Sequence, residues 1–269
     1  ARKASLISSR IRNNGRAGAC SRRFLCEVYM KYDAVIFDLD GTLTDTLADL
    51  RNSVNFALNR FGFPERTTEE IRNFVGNGVR RLIYLSVPEN TPDAISEKCL
   101  SVFKEHYAAN SLVETKPYDG IIEMLKNLKN RKIKTAVVTN KMHSAAVDIV
   151  GYFFGDLIDV TVGQIDGMAQ KPQPDGINFA LEKLGVVKEK SVYVGDSEVD
   201  CITAKNAEIP CVGVTWGFRD RDVLHLAAGC CRIAATSQRL QDHLHIGRAY
   251  TSGGNDHLVI VRVHHKGCC

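Results

Sequence analysis

Short apolar runs alternate with stretches of helical periodicity along most of the chain. Five of these runs are rich in β-branched residues and apolar on both faces, which is typical of strands that helices cover on either side. They span residues 33–38, 133–139, 157–162, 191–195 and 211–215. The alternation predicts an α/β fold in which a doubly wound parallel sheet forms the core.

One long interval, residues 46–116, shows helical patterns only. Thr67 and Glu70 have the spacing of a capping box, and Pro92 stands where a further helix is expected to begin. About 70 residues far exceed the roughly 2 to 6 that usually join a strand to a helix. We therefore expect a small all-helical domain, inserted above the carboxyl end of the first strand.

Both ends of the chain fall outside this pattern. Residues 1–29 are basic and without periodicity, which is typical of a transit peptide, a flexible arm or non-native sequence, and we expect Met30 to be the natural start. The catalytic core would then comprise residues 30–45 and 117–227, with a weaker pattern continuing to position 245. The status of residues 246–269 stays open.

Composition narrows the classes of function. The first 29 residues hold seven basic side chains and one acid, which exceeds the net charge of +4 of the whole chain. The remainder is therefore negative overall, and no nucleic-acid surface is indicated. No apolar run is long enough to span a membrane. The nine cysteines include no C-x-x-C pair, which disfavours a zinc ribbon and favours reduced thiols in a cytoplasmic protein.

Polar side chains stand at the predicted carboxyl ends of several strands. In an open parallel sheet these ends form the edge at which ligands bind. The candidates are Asp38, Asp40 and Gly41 after the first strand, Thr139 and Asn140 at the end of the second, Lys171 after the third, and Asp196 with Asp200 after the fourth. We expect them to meet in one site.

Carboxylates gathered at one edge repel each other unless a cation lies between them. Hard oxygen ligands favour Mg²⁺, and Asp38, Asp40 and Asp196 are the candidate ligands. A metal, the Lys171 amine, a hydroxyl and a turn rich in N–H groups would together suit a phosphoryl group. Asp38 could attack phosphorus and form an aspartyl-phosphate, while Asp40 protonates the leaving oxygen and later activates water.

Four ordered motifs resemble those of the haloacid dehalogenase superfamily. They are DLDGT at residues 38–42, the threonine at the end of the second strand, the lysine of KPQPDG, and the GDSEVD run. The resemblance extends from Met30 to Ala227 and is strongest to the phosphoglycolate phosphatase branch. It implies a Rossmann-like core with a helical cap between the first two motifs, Mg²⁺ as cofactor and a small phosphate ester as substrate.

The resemblance also implies a role for each candidate. Asp38 matches the nucleophile and a metal ligand, Asp40 the acid/base that binds Mg²⁺ through its main-chain carbonyl, Gly41, Thr139 and Asn140 the phosphate-binding positions, Lys171 the residue that steadies the phosphorylated aspartate, and Asp196 the metal-binding acid. Asp200 matches a water-mediated ligand or a partner of Lys171. In the cap, VGNGVRRLI resembles the loop that contacts the leaving group, so Asn77 and Arg80 are candidate specificity residues.

The preferred interpretation is a Mg²⁺-dependent phosphatase of small phosphate monoesters, with phosphoglycolate as the best single substrate. A sugar phosphomutase of the same superfamily remains an alternative because it shares both aspartates and differs in its cap. A phosphoacceptor signalling domain is less consistent with the motif order. A dehalogenase is disfavoured since Asp40 would have no use in that reaction. The oligomeric state stays open.

Overall fold

The computed structural model describes residues 32–228 and 232–244. The expected basic extension at residues 1–29, the proposed start at Met30 and the tail at residues 246–269 lie outside these ranges. Among the described helices, none is long and apolar enough to cross a membrane.

The core is a six-stranded parallel sheet. Strands along the chain are β1 (Ala34–Phe37), β2 (Thr44–Asp45), β3 (Lys116–Pro117), β4 (Lys134–Met142), β5 (Val160–Gln164), β6 (Ser191–Gly195), β7 (Cys211–Val214) and β8 (Arg232–Ala234). The order in the large sheet is β5-β4-β1-β6-β7-β8. The chain therefore builds outward from β1 in one direction and then in the other, and this reversal places a ligand crevice at the carboxyl end of β1.

Helices cover both faces of the sheet. They are α1 (Leu47–Arg60), α2 (Thr68–Phe74), α3 (Gly78–Ser86), α4 (Asp93–Asn110), α5 (Ile121–Asn130), α6 (His143–Phe153), α7 (Asp175–Leu184), α8 (Glu198–Asn206), α9 (Arg221–Ala228) and α10 (Ser237–His243). Val35 and Phe37 of β1 belong to a cluster with α5 and α6, whereas Ile36 belongs to one with α7 and α8. Because alternate strand residues point to opposite faces, this arrangement confirms the doubly wound α/β prediction.

Helices α1 to α4, called the helical segment below, have a hydrophobic cluster largely of their own. Val54, Leu58, Ile83 and Phe103 are fully buried in it. The expected capping box is confirmed: Glu70 N–H donates to the Thr67 hydroxyl and the Glu70 carboxylate accepts from Thr67 N–H. That residues 46–116 form a separate domain stays a prediction.

Short strands that the sequence did not indicate lie where the helical segment begins and ends. β2 and β3 pair antiparallel, with Thr44 opposite Pro117 and Asp45 opposite Lys116. Behind them the buried Asp49 carboxylate accepts hydrogen bonds from the backbone N–H groups of residues 114 and 115. The two segments that connect the sheet to the helical segment are thus held side by side above β1.

Two predicted strand ranges were wrong at their ends. The third begins at Val160 instead of residue 157, because residues 155–157 form a 3₁₀ turn. The second continues past residue 139 to Met142, with a register shift against β5 between Val138 and Met142. Beyond residue 227, β8 and α10 extend the core as far as Leu244, where Ala234, Leu240 and Leu244 join the cluster beneath β1.

Candidate active site

The carboxyl ends of β1, β4 and β6 meet at a cavity of about 50 Å³. Its polar wall comes from the sheet, and its apolar wall comes from the helical segment. The polar residues include Asp38, Asp40, Thr139, Lys141, Lys171 and Asp196, and the apolar ones include Leu50, Val75, Val79 and Leu82. The strand-end candidates are therefore brought together as expected.

Asp38 lies directly after β1, where its backbone N–H still donates to Val194 O at 2.8 Å. The Asp38 side chain is 11% exposed, and its Oδ1 lies 2.9 Å from Lys171 Nζ. This contact is an ion pair. Among the described residues, no donor makes a hydrogen bond of good geometry to Asp38 Oδ1. Burial raises the pKa of Asp38 to about 7, although Lys171 acts in the opposite direction.

Lys171 lies between two acids. Its Nζ is 2.7 Å from Asp200 Oδ1, in addition to its contact with Asp38, and 3.1 Å from the Tyr193 hydroxyl. Burial disfavours the ammonium, but the two carboxylates outweigh burial, so the pKa of Lys171 lies above its usual value. The lysine is consequently a fixed positive charge beside Asp38.

Asp200 has a structural position at the start of α8. It is fully buried, and its Oδ2 accepts from both the backbone N–H and the hydroxyl of Ser197, at 3.0 and 2.6 Å. Its other oxygen accepts from Lys171 and Tyr193. Of the two roles expected for Asp200, this geometry favours the partner of Lys171.

Asp38, Asp196 and Asp200 form a buried acidic group. One carboxylate oxygen of each lies within 4.8 Å of those of the others. Burial, together with Asp200 and Asp38, raises the pKa of Asp196 to about 8. Such a group suits a divalent cation, and the Asp38 oxygen that lacks a directed donor is a suitable ligand atom.

Gly41 allows Asp196 to approach the turn after β1. Its φ is +85°, and a Cβ at this position would lie 2.3 Å from Asp196 Oδ2. The Gly41 N–H donates to Thr44 O at 2.8 Å. The N–H is therefore engaged inside the turn, and the geometry explains this glycine by close approach instead of the expected contact with phosphate.

Asp40 points away from the acidic group. Its Oδ1 accepts from the Thr46 hydroxyl at 2.7 Å and from Lys141 Nζ at 2.9 Å. Lys141 is 4% exposed and also donates to the Tyr107 hydroxyl of α4 at 2.7 Å. The Asp40 carboxylate is thus not placed as a metal ligand, and the expected ligation would involve its main-chain carbonyl only.

Thr139 and Asn140 differ in how free their side chains are. Thr139 lines the cavity, and its hydroxyl accepts one contact from the described residues, from Lys141 N–H at 3.3 Å. The Asn140 side-chain amide donates to Gly76 O and Lys171 O, both at 3.0 Å, and accepts from Lys171 N–H at 2.8 Å. The Asn140 side chain therefore ties the sheet edge to the helical segment and is not available to phosphate.

The amino-acid sequence of the chain is similar to that of a known protein family. The family model described as haloacid dehalogenase-like hydrolase matches residues 35–214. The chain belongs to this family.

Curated relatives narrow the assignment to phosphatases. A phosphoglycolate phosphatase from Agrobacterium fabrum is 36% identical over 200 residues, which cover 71% of this chain and 84% of that protein. One from Aquifex aeolicus is 33% identical over 190 residues, covering 68% and 85%. Among solved structures, a candidate phosphoglycolate phosphatase from Lactobacillus delbrueckii shares 35% identity at a TM-score of 0.76, covering 80% of this chain and 99% of that one. The chain is a haloacid dehalogenase-like phosphatase.

Asn77 and Arg80 do not line the cavity of this phosphatase. Both are exposed, and Arg80 pairs with Glu97 at 2.8 Å within the helical segment. From the same stretch, Gly76, Gly78 and Val79 line the cavity instead. The loop that was expected to contact the leaving group thus reaches the cavity, but Asn77 and Arg80 do not line it.

Besides Arg219, which also lines the cavity, Lys141 is a site residue that sequence reasoning missed. It follows Thr139 and Asn140 directly, but a lysine near a strand end is usually a solvated charge. In the structure Lys141 is buried, and its amine donates hydrogen bonds to the Asp40 carboxylate and the Tyr107 hydroxyl. Burial disfavours its charge, yet Asp40 outweighs that effect and the pKa of Lys141 lies above its usual value. The available signal was the position of a third polar residue at the carboxyl end of β4.

Proposed function

We propose that this phosphatase hydrolyses small phosphate monoesters with Mg²⁺, that phosphoglycolate is its preferred substrate, and that the reaction passes through an aspartyl-phosphate on Asp38. One observation carries the proposal: two aspartates that are two residues apart in the loop after β1 are each paired with a different buried lysine. Lys171 contacts Asp38, and Lys141 contacts Asp40, each at 2.9 Å. Two acids held apart in this way can act in two different steps.

The residues present fit a Mg²⁺ ion. The carboxylates of Asp38 and Asp196, with the main-chain carbonyl of Asp40, would hold it, and Asp200 would support the site from behind through Lys171. Bound Mg²⁺ would neutralise the acids and stabilise the charge that develops on a transferring phosphoryl group. Each oxygen of the Asp196 carboxylate accepts one hydrogen bond, from the Thr42 hydroxyl at 2.9 Å and from Phe218 N–H at 2.7 Å, and these bonds fix the orientation of the carboxylate.

In the first step, an Asp38 carboxylate oxygen attacks phosphorus and the bond from phosphorus to the ester oxygen breaks. Asp40 donates its proton to that leaving oxygen, so the alcohol departs neutral. Lys171 compensates the charge on Asp38, and the Thr139 hydroxyl can donate to a phosphoryl oxygen.

In the second step, the Asp40 carboxylate takes a proton from water. The resulting hydroxide oxygen bonds to phosphorus, the bond between phosphorus and the Asp38 oxygen breaks, and inorganic phosphate leaves. Both aspartates return to their starting states, so each turnover consumes one water and one ester.

The size and lining of the cavity support a small substrate. At about 50 Å³, and closed by Leu50, Val79 and Leu82, it favours a compact leaving group over an extended one. The names of the relatives from Agrobacterium fabrum and Aquifex aeolicus support phosphoglycolate as the first ester to test.

The test is a panel of small phosphate esters with and without Mg²⁺. We expect phosphate release from phosphoglycolate to require the metal and to be lost in Asp38→Asn. The control is Asp156→Asn, which removes an exposed acid paired with Lys129 far from the cavity and should leave turnover unchanged. Undiminished turnover by Asp38→Asn would overturn the mechanism, and conversion of a hexose 1-phosphate to the 6-phosphate would identify a mutase instead.

A further inference from the structure

Arg72 and Arg219 each donate hydrogen bonds to backbone carbonyls of the segment that carries the other, beside the cavity. Arg219 lies in the loop after β7, and Arg72 lies in α2 of the helical segment. Arg219 Nη1 donates to Arg72 O at 2.7 Å, and its Nη2 donates to Val75 O at 2.7 Å. In return, Arg72 Nε donates to Phe218 O at 2.8 Å, with Nη2 3.4 Å from Gly217 O.

The carbonyls that Arg219 binds have no partners inside α2. The last turn of any helix leaves its final carbonyl groups unpaired, and α2 ends at Phe74. A guanidinium is the favoured partner there because it is always charged, and its planar fork reaches several oxygens at once. Arg219 therefore caps the carboxyl end of α2, although it lies 147 residues further along the chain than Arg72.

The segment that Arg72 binds also supports the acidic group. Phe218 N–H donates to Asp196 Oδ2 at 2.7 Å. Gly217 packs so closely that a Cβ there would lie 2.3 Å from Gly41 O and 2.4 Å from Asp196 Oδ2. Trp216 Nε1 donates to Thr42 O at 3.0 Å. Residues 216–219, called the clasp loop below, thus contact the helical segment on one side and Asp196 on the other.

The clasped part of the helical segment closes the cavity. Val75 and Gly76 line it, and Gly76 O also accepts from the Asn140 amide at 3.0 Å. Arg219 itself lines the cavity with a side chain that is 13% exposed, and its Nε lies 3.3 Å from Glu198 Oε2. Arg72 and Arg219 therefore connect residues 75 and 76, which line the cavity, to residues 217 and 218, which contact Asp196.

We propose that Arg72 and Arg219 are positioning residues that form a reciprocal clasp, which holds residues 75 and 76 over the bound ester and orients Asp196 toward the metal when the helical segment is closed. The proposal deepens the proposed function and rests on it in taking Asp196 as a metal ligand. Closure of the cavity and completion of the metal site become one event, because Phe218 carries both the carbonyl that Arg72 binds and the N–H that Asp196 accepts.

The test compares Arg219→Ala, Arg72→Ala and their double variant with Arg66→Ala. Arg66 is a matched control because its Nε also donates to a backbone carbonyl, Ser86 O at 2.7 Å, but entirely within the helical segment. Three quantities are measured: backbone hydrogen exchange of residues 72–77, the Kd for Mg²⁺ by calorimetry without substrate, and the separate values of KM and kcat for the ester.

We expect Arg219→Ala to speed exchange at residues 72–77 and to weaken Mg²⁺ binding by about tenfold, as loss of a group that orients a metal ligand typically does. KM for the ester should rise more than kcat falls, because the loss affects binding of every state. The double variant should add little to either single variant, since both break the same clasp. Arg219→Lys should not restore the wild-type values, because an ammonium cannot reach both carbonyls.

Unchanged exchange and Mg²⁺ affinity in Arg219→Ala would overturn the proposal, as would equal effects from Arg66→Ala. If the wild-type protein neither binds Mg²⁺ nor hydrolyses any ester, the proposed function fails and the coupling to Asp196 fails with it. In that case the exchange at residues 72–77 still decides whether the two arginines hold the loop closed.

Discussion

The two halves of the site each contain a buried lysine 2.9 Å from an aspartate, yet they are completed by different parts of the molecule. Lys171, beside Asp38, has its other partners in Asp200 and Tyr193, which belong to the sheet and the helix packed on it. Lys141, beside Asp40, has its other partner in Tyr107 of α4. The core alone thus builds the side of the proposed nucleophile, whereas the proton-transfer side requires the helical segment.

The largest expected difference between the two halves is kinetic. Asp38→Asn removes the attacking oxygen, and we expect kcat for phosphoglycolate to fall by about 10⁴-fold or more. Asp40→Asn removes only proton transfer and should cost about 10²- to 10⁴-fold. Steady-state phosphate release measures both. Equal losses with every ester would remove the distinction between nucleophile and acid/base.

Replacing the lysines should separate the halves in stability. Lys171→Met leaves Asp38 and Asp200 buried without a counter-charge, and we expect a loss of about 3 to 5 kcal/mol, as for other buried ion pairs broken on one side. Lys141→Met leaves only Asp40 without its counter-charge. Asp40 keeps the hydrogen bond from Thr46, and its side chain is 13% exposed, so the loss of stability should be smaller. Urea unfolding of metal-free protein measures both, and a larger loss in Lys141→Met would contradict the account.

Metal and pH should act mainly on the half that the core builds. Folding raises the pKa values of Asp38 and Asp196 from 3.8 to about 7 and about 8. The metal-free fold therefore gains stability from binding protons in acid, and this gain is lost as the pH rises through 7 and 8. In the proposed site Mg²⁺ would replace those protons, so it should stabilise most at pH 8, by about 2.7 kcal/mol at a hundredfold excess over its Kd. An equal shift of Tm by Mg²⁺ at pH 5 and pH 8 would count against the buried acids as its site.

The smallest expected effects come from the two tyrosine hydroxyls. Tyr107→Phe should cost about 1 kcal/mol, the usual worth of one hydrogen bond, and Tyr193→Phe should cost more, because its hydroxyl contacts Lys171, Asp200 and Val138 O. They should differ in leaving-group dependence. Tyr107 contacts Lys141, which pairs with Asp40, the proposed acid for the leaving oxygen, so Tyr107→Phe should slow an alkyl ester more than an activated aryl ester. Tyr193→Phe should slow both esters equally. The same leaving-group dependence in both variants would contradict the proposed difference between the two halves of the site.

The sequence predicted the residues that strand order brings together, Asp40 among them, but missed Lys141, whose position depends on distant packing. Asp38, Lys171 and Asp196 follow buried strands, and the parallel topology alone brings such positions to one edge. Lys141 is buried beside two acceptors, Asp40 and Tyr107, and Tyr107 lies 34 residues earlier on a different element. No local pattern around either residue indicates that contact.

Short elements and side-chain direction were also beyond the sequence pattern. β2 and β3 have two residues each, too few for any periodicity, and they form because the chain crosses there twice. Arg80 lies on a loop that was correctly expected near the cavity, but Glu97 on α4 draws its guanidinium outward. The clasp formed by Arg72 and Arg219 joins positions 147 apart through backbone carbonyls, which carry no sequence signal.

The most direct test of the central claim is the mass of the Asp38 peptide during turnover. Asp40→Asn is mixed with Mg²⁺ and an activated aryl phosphate, whose leaving group needs no proton, and the reaction is quenched in acid. Because this variant should be slow in the water step, we predict that one phosphoryl group accumulates on Asp38 and that none appears without Mg²⁺ or in Asp38→Asn. A burst of aryl product with no phosphoryl group on Asp38, or with one on another residue, would contradict the account.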